Sequence, residues 1–194
     1  MENTDNMFQT QVGELIVGSY LRVLNDCELV SYNQRSRDTG HQTVVDVLGV
    51  ESSSKEQTVH ACEVVTHIGG LLYSGQPHTD RWSDFGGVGY QNTLERLWDK
   101  FDRDYNLVRE VFDDADEYVL QLWSPVVPRG KLTDGLAELQ TQFEAEHDVE
   151  IELVINGEYK SRVNEIRQRA SETTESYDEP AFRFFQILEH LRDD

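Results

Sequence analysis

The chain has 194 residues, 17 basic and 37 acidic, for a formal charge of −20. That length is enough for one domain with a real hydrophobic core. No apolar run approaches the 18 or so residues of a membrane helix, Met1 to Asn6 lacks the basic and apolar regions of a signal peptide, and two cysteines are too few for a disulfide framework. A membrane protein, a secreted mini-domain and a disordered chain are thereby disfavoured, and the expectation is a cytoplasmic protein with no membrane partner.

The basic residues are chosen unevenly. Only Lys55, Lys100, Lys131 and Lys160 are lysines, and the others are arginines. An acid-rich, lysine-poor balance resembles the composition of proteins from salt-loving archaea, where concentrated salt screens self-repulsion. The competing reading is an acidic binding protein or nucleic-acid mimic. The acids are spread over nearly every segment, which favours the first reading. The same balance argues against general electrostatic binding of DNA at low salt.

In chain order, Val12 to Leu24 has helical spacing in Val12, Leu15, Ile16, Tyr20 and Val23. Glu28 to Tyr32 is a short strand and Gln34 to Gln42 a polar loop. Thr43 to Val50 and Thr58 to Ile68 are β-rich, joined by a serine-rich turn over Glu51 to Gln57. Tyr73 to Gln91 is a long loop, a length that points to a lid or binding segment. Asn92 to Tyr105 is a helix with an apolar stripe of Leu94, Leu97, Phe101 and Tyr105, and Asn92 with Glu95 has the spacing of a capping box. Tyr118 to Trp123 is a strand, and Leu132 to Phe143 a helix. Val149 to Ile155 alternates as a half-exposed strand. Tyr159 to Ala170 and Phe182 to Leu191 are helices, the last with Pro180 near its start. The predicted order is α-β-β-β-α-β-α-β-α-α.

Three acids stand among apolar neighbours. Glu14 is the one charged residue between Val12 and Leu21, Asp46 lies within Val44-Val45-Asp46-Val47-Leu48, and Glu63 within Ala61-Cys62-Glu63-Val64-Val65. A carboxylate in such a place must be paired, bound to metal or protonated. A simple hairpin centred near residues 54 and 55 pairs residues whose numbers sum to about 109, which sets Asp46 opposite Glu63. Their Cα atoms would then lie roughly 5 Å apart. Like charges directly opposite destabilise a sheet. A divalent cation would resolve the conflict, and oxygen ligands suit Mg²⁺ or Mn²⁺. Satisfied structural polar groups are the plainer account of the pair. For Glu14 the plainer account is a bond to Arg22 or to backbone.

A helix bearing Glu14, a strand bearing Asp46 and a strand bearing Glu63 resemble the PD-(D/E)xK, or restriction-endonuclease-like, nuclease superfamily. Gly18-Ser19-Tyr20-Leu21-Arg22, Cys62-Glu63-Val64-Val65-Thr66-His67-Ile68 and Trp123-Ser124-Pro125 are similar to stretches of small uncharacterised prokaryotic members. The resemblance covers roughly the first two-thirds of the chain. It implies an α/β fold with an αβββαβ core and a mixed central sheet over residues 12–155, after a polar tail at 1–11. A C-terminal helical extension, 156–194, would pack on the same domain. It further implies metal-assisted cleavage of a phosphodiester, with Asp46 and Glu63 binding Mg²⁺ or Mn²⁺ and Glu14 acting through water or a second metal. By analogy with nucleases that cut two strands as dimers, the helices after Gly157 are the candidate homodimer contact.

The chain departs from the family where the motif lysine belongs, two residues after Glu63, because that position is Val65. His67 is next on the same face by strand alternation, about 6.6 Å further along, and is the candidate proton donor or ligand. Lys55, in the hairpin turn, is too distant. Arg81, Trp82, Arg129 and Lys131 are candidates for a local nucleic-acid groove, with scattered surface positions as the plainer account. Two functions follow: a metal-dependent nuclease using Glu14, Asp46, Glu63 and His67, or a catalytically silent domain of the same fold that binds nucleic acid or a protein partner.

Overall fold

The structure is a computed structural model that describes residues 10–35, 44–53 and 56–192. The tail before residue 10 and Lys55 lie outside the described residues. The elements are α1 (Val12–Val23), β1 (Leu29–Arg35), β2 (Val44–Ser52), β3 (Gln57–Val64), a single 3₁₀ turn (Ser83–Phe85), α2 (Val88–Val111), β4 (Glu117–Ser124), α3 (Lys131–His147), β5 (Ile151–Ile155), α4 (Gly157–Glu172) and α5 (Pro180–Arg192). Their order is the one read from the hydrophobic periodicity.

The five strands form one mixed sheet in chain order, β1-β2-β3-β4-β5. β1 and β3 each run antiparallel to β2, while β4 is parallel to β3 and β5 to β4. Antiparallel neighbours need no crossover. The parallel pairs need crossovers, and α2 and α3 supply them. The β2–β3 register pairs Val47 with Cys62 through Ser52 with Gln57, so the paired numbers sum to 109, as the hairpin arithmetic expects.

Two cores flank the sheet. On one side Leu94, Leu97, Phe101 and Val108 of α2 and Leu132, Leu136, Leu139 and Phe143 of α3 pack with Val59, Ala61, Leu120 and Leu122. On the other, Val17, Tyr20 and Leu21 of α1 share a core with Val47, Cys62, Trp123, Val154, Ile166, Ala170 and Phe182, which brings α4 and α5 into the same layer. Burial of these side chains supplies the main driving force, at about 25 cal/mol per Å² of apolar surface.

α1 is seated very close to the sheet and to α5. Gly18 faces Tyr32, and a Cβ there would stand 2.6 Å from Cζ and 2.7 Å from Cε1 of that ring. Tyr32 Oη donates to Glu179 Oε2 at 2.6 Å, and the Phe182 amide donates to Ser19 Oγ at 3.1 Å. These contacts fix the helix that carries Glu14. The outer face of α5 leaves Phe184, Ile187, Leu188 and Leu191 exposed. Among the described residues no helix is long and apolar enough to cross a membrane.

Three expectations are corrected. α2 begins at Val88 and runs to Val111, so Asn92 lies inside it and forms no cap with Glu95. The preceding loop folds back over the first turns of α2 and recruits these side chains. Asn92 Nδ2 donates to the Tyr73 carbonyl at 3.1 Å, and the His78 amide donates to Glu95 Oε2 at 2.7 Å. β3 ends at Val64, not Ile68, because the chain turns away, with the Gly70 amide bonded to the His67 carbonyl. Trp82 is a core residue, 1% exposed, and the Arg81 guanidinium stacks over Trp98, bonds Gln142 and pairs with Glu146. Neither ring presents itself to a nucleobase.

His60, on β3, is buried with no hydrogen-bond partner on either ring nitrogen, and Glu51 Oε2 is 3.9 Å away. Burial holds its pKa below the ordinary value, against the pull of Glu51, Glu152 and Glu117. With the folded pKa depressed, this group's contribution is fully present above the unfolded pKa of about 6.5 and is lost as pH falls below it. Urea unfolding at pH 7.5 and 5.5 in molar KCl should therefore show a smaller acid loss in His60→Leu than in the wild type. Parallel losses in both chains would contradict this.

Candidate functional site

Glu63 is the penultimate residue of β3 and is 1% exposed. The last rung of the β2–β3 ladder is Val47 with Cys62, so Asp46 and Glu63 occupy the next position in that register. There the ladder gives way to a side-chain bond, the Val64 amide donating to Asp46 Oδ2 at 2.8 Å. The neighbouring pairing is also interrupted. β1 and β2 pair at Tyr32 with Val47 and at Gln34 with Val45, but not at Asn33 with Asp46. Asn33 has a left-handed backbone, φ 53°. The register is the same on both sides of the gap, so no residue is inserted there. Here the Asn33 amide Nδ2 donates to Glu14 Oε2 at 2.8 Å.

Glu14 is 5% exposed, and its Oε2 also accepts the Gln11 amide at 3.1 Å, as the third residue of α1 reaching back to the cap. Its pKa is raised chiefly by burial, with the two bonds opposing and the Asp46 charge adding to the rise. Arg22 is not its partner. That side chain bonds the carbonyls of Cys27 and Glu28 and faces Glu179. Asp46 is held well above the usual carboxylate range, by burial first and by the Glu63 charge next, while Lys100 and the Val64 amide pull it down.

Glu63 has two unlike oxygens. Oε1 accepts Tyr73 Oη at 3.3 Å and pairs with the Lys100 ammonium. Oε2 is buried with no hydrogen-bond partner. Lys100 comes from the middle of α2, which lies across this side of the sheet. Burial lowers the lysine pKa, but Glu63, Tyr73 and Asp46 outweigh it and the net shift is upward. The ammonium is thus held charged. Tyr73 is pushed up to about 12, by burial first and then by Glu63, so its hydroxyl stays a donor. Asp104, one turn beyond Lys100, is 3% exposed and is raised by burial and then by Glu63.

The fold therefore assembles Glu14, Asp46 and Glu63 at one end of the sheet and leaves His67 out. His67 would share the Glu63 face only if β3 continued, and the side chain is instead exposed beyond the strand end. Val65 is 5% exposed and packs in the core on the α2 side, so no cation enters from the motif position. Lys100, Tyr73 and Asp104 were not singled out from the sequence. The available signal was Lys100 and Asp104 at helical spacing with Leu97, Phe101 and Val108, two charges on the buried stripe of α2.

The donor atoms here are the kind that hard divalent cations take. Two carboxylates approach each other, one oxygen lacks any donor, and the ligands are oxygens. Among the described residues no group of three or more His, Cys, Asp or Glu side chains is placed to hold a metal ion. Mg²⁺ commonly uses only one or two carboxylates and keeps several waters. No protein-family model, curated protein or solved structure matches this chain.

Removing one member of a buried ion pair strands the other charge and costs roughly 3 kcal/mol or more. Lys100→Met should lower the unfolding free energy by about that amount, and adding Glu63→Gln should restore at least half of the loss. Additive losses in a double-mutant cycle measured by urea unfolding would mean that the pair is not coupled.

Proposed function

We propose that the chain is a metal-dependent nuclease that hydrolyses phosphodiester bonds in nucleic acid, with Lys100 in the role of the lysine missing at Val65. The observation that carries this reading is the delivery of Lys100 from α2 onto Glu63, beside Asp46. The αβββαβ order of α1 through β4, with β3 parallel to β4, supports the restriction-endonuclease-like assignment. The site also lies at the carboxyl end of parallel strands, where open α/β sheets bind ligands.

Asp46 and Glu63 would hold Mg²⁺ or Mn²⁺ through Glu63 Oε2 and the Asp46 carboxylate. The cation, when bound, polarises a phosphate oxygen and lowers the pKa of water. Lys100, paired with Glu63 Oε1 in this structure, has three N–H donors and can offer them to a phosphate oxygen or an attacking water. Its charge offsets the negative charge that grows in the transition state. Tyr73 Oη, bonded to Glu63 Oε1 at 3.3 Å, orients the carboxylate and its free oxygen. Glu14, with Asn33 and Gln11 on its Oε2, supports the Asp46 side of the site. His67 has no part in this scheme.

A chain with charge −20 repels a polyanion, so binding needs salt to screen the field. Purified protein in molar KCl with Mg²⁺ or Mn²⁺ should cleave DNA or RNA, and EDTA should stop it. Glu63→Ala and Lys100→Ala should each lose about 10²–10³-fold in rate. Full activity in Lys100→Ala would remove the lysine from the mechanism. Metal-independent binding of nucleic acid without cleavage would instead support a silent member of the fold.

A further inference from the structure

We propose that Asp104 is a positioning residue, the second seat of Lys100, receiving its ammonium when Glu63 turns to a divalent cation. This rests on the metal site of the preceding section and adds a residue that nothing in the motif contains.

Asp104 is 3% exposed. Among the described residues no hydrogen bond or ion pair reaches its carboxylate. A buried carboxylate without a donor is costly. Other buried acids of this fold show what a structural acid looks like. Glu95, on the same helix, accepts the His78 amide at 2.7 Å, and Glu14 accepts Asn33 and Gln11. Asp104 has no such explanation where Lys100 now sits.

Lys100 and Asp104 are four residues apart on α2, so their side chains rise from one face with Cβ atoms about 5–6 Å apart. Glu63, Lys100, Asp46 and Arg103 are the charges that act most strongly on Asp104, Glu63 first. The Lys100 stem is long and its side chain is 33% exposed, so it has room to turn. At present the ammonium is on Glu63, 5.8 Å from the Tyr73 ring centre. A divalent cation on Glu63 repels it. Asp104 offers a nearby acceptor of opposite charge, and the ammonium stays beside the reacting phosphate rather than leaving for solvent. The same transfer gives Asp104 the donor it lacks.

The test is calorimetric Mn²⁺ titration in molar KCl of the wild type, Asp104→Asn, Lys100→Met and the double variant. Asp104→Ser runs in parallel, alone and with Lys100→Met, and unfolding curves verify each fold. With the second seat removed, Lys100 stays on Glu63 and competes with the metal, so Asp104→Asn should weaken Mn²⁺ about tenfold. In the Lys100→Met background the same change should matter less than about twofold. Equal weakening in both backgrounds would overturn the proposal, since it would reflect only a lost negative charge. Unchanged affinity in Asp104→Asn would also overturn it. Failure of the wild type to bind Mn²⁺ would sink the metal reading itself, and the second seat with it.

Discussion

Negative charge at one end of the sheet exceeds what the protein supplies to balance it. Asp46, Glu63 and Asp104 interact electrostatically around one lysine, and Glu14 feels the Asp46 charge. Burial makes every unbalanced carboxylate expensive, because the charged form loses its water. The fold responds partially: one ammonium and one phenol hydroxyl on Glu63, one backbone amide on Asp46, and two donors on Glu14. Glu63 Oε2 receives nothing. An arrangement of this kind is poor for stability.

Much of the molecule exists to hold those acids in place. β2 and β3 bring Asp46 and Glu63 to adjacent strand positions, and α2 crosses the sheet with Lys100 and Asp104 on its buried side. The close approach at Gly18 and the bonds from Tyr32 and Ser19 to the α5 region fix α1. The loop ahead of α2 is tied down too. Thr93, Asn92 and Glu95 bond its backbone, and Trp82 fills the core beneath it. Tyr73, which touches Glu63, is thereby set by the same contacts.

The legible parts of the sequence were those governed by local periodicity. Alternating and helical hydrophobic spacing announced all the main elements, and turn composition between β2 and β3 was enough to set their register. Glu14, Asp46 and Glu63 stood out because isolated acids in apolar runs contradict simple burial. Lys100 was hidden for the opposite reason: a lysine in a polar-looking helix resembles a solvated side chain until the helix is docked. Its partner is 37 positions away in sequence. The misplacement of His67 came from extending strand alternation past Val64, where the backbone bends. The supposed cap at Asn92 failed because a tertiary contact with Tyr73 claimed that side chain.

The surface charge belongs to a different scale from the site. Dispersed acids act over about a Debye length and are screened by salt, whereas the buried carboxylates are screened much less. High salt would allow a polyanionic substrate to approach without relieving the conflict inside. In the proposed reading a divalent cation relieves it at Asp46 and Glu63. The most direct measurement is a crystal structure grown with Mn²⁺, with anomalous scattering recorded at the manganese edge. A peak bridging Asp46 and Glu63, on the side of Glu63 Oε2, is the expected result. Ordered crystals soaked in Mn²⁺ with no peak there, and the Lys100–Glu63 pair intact, would contradict the account.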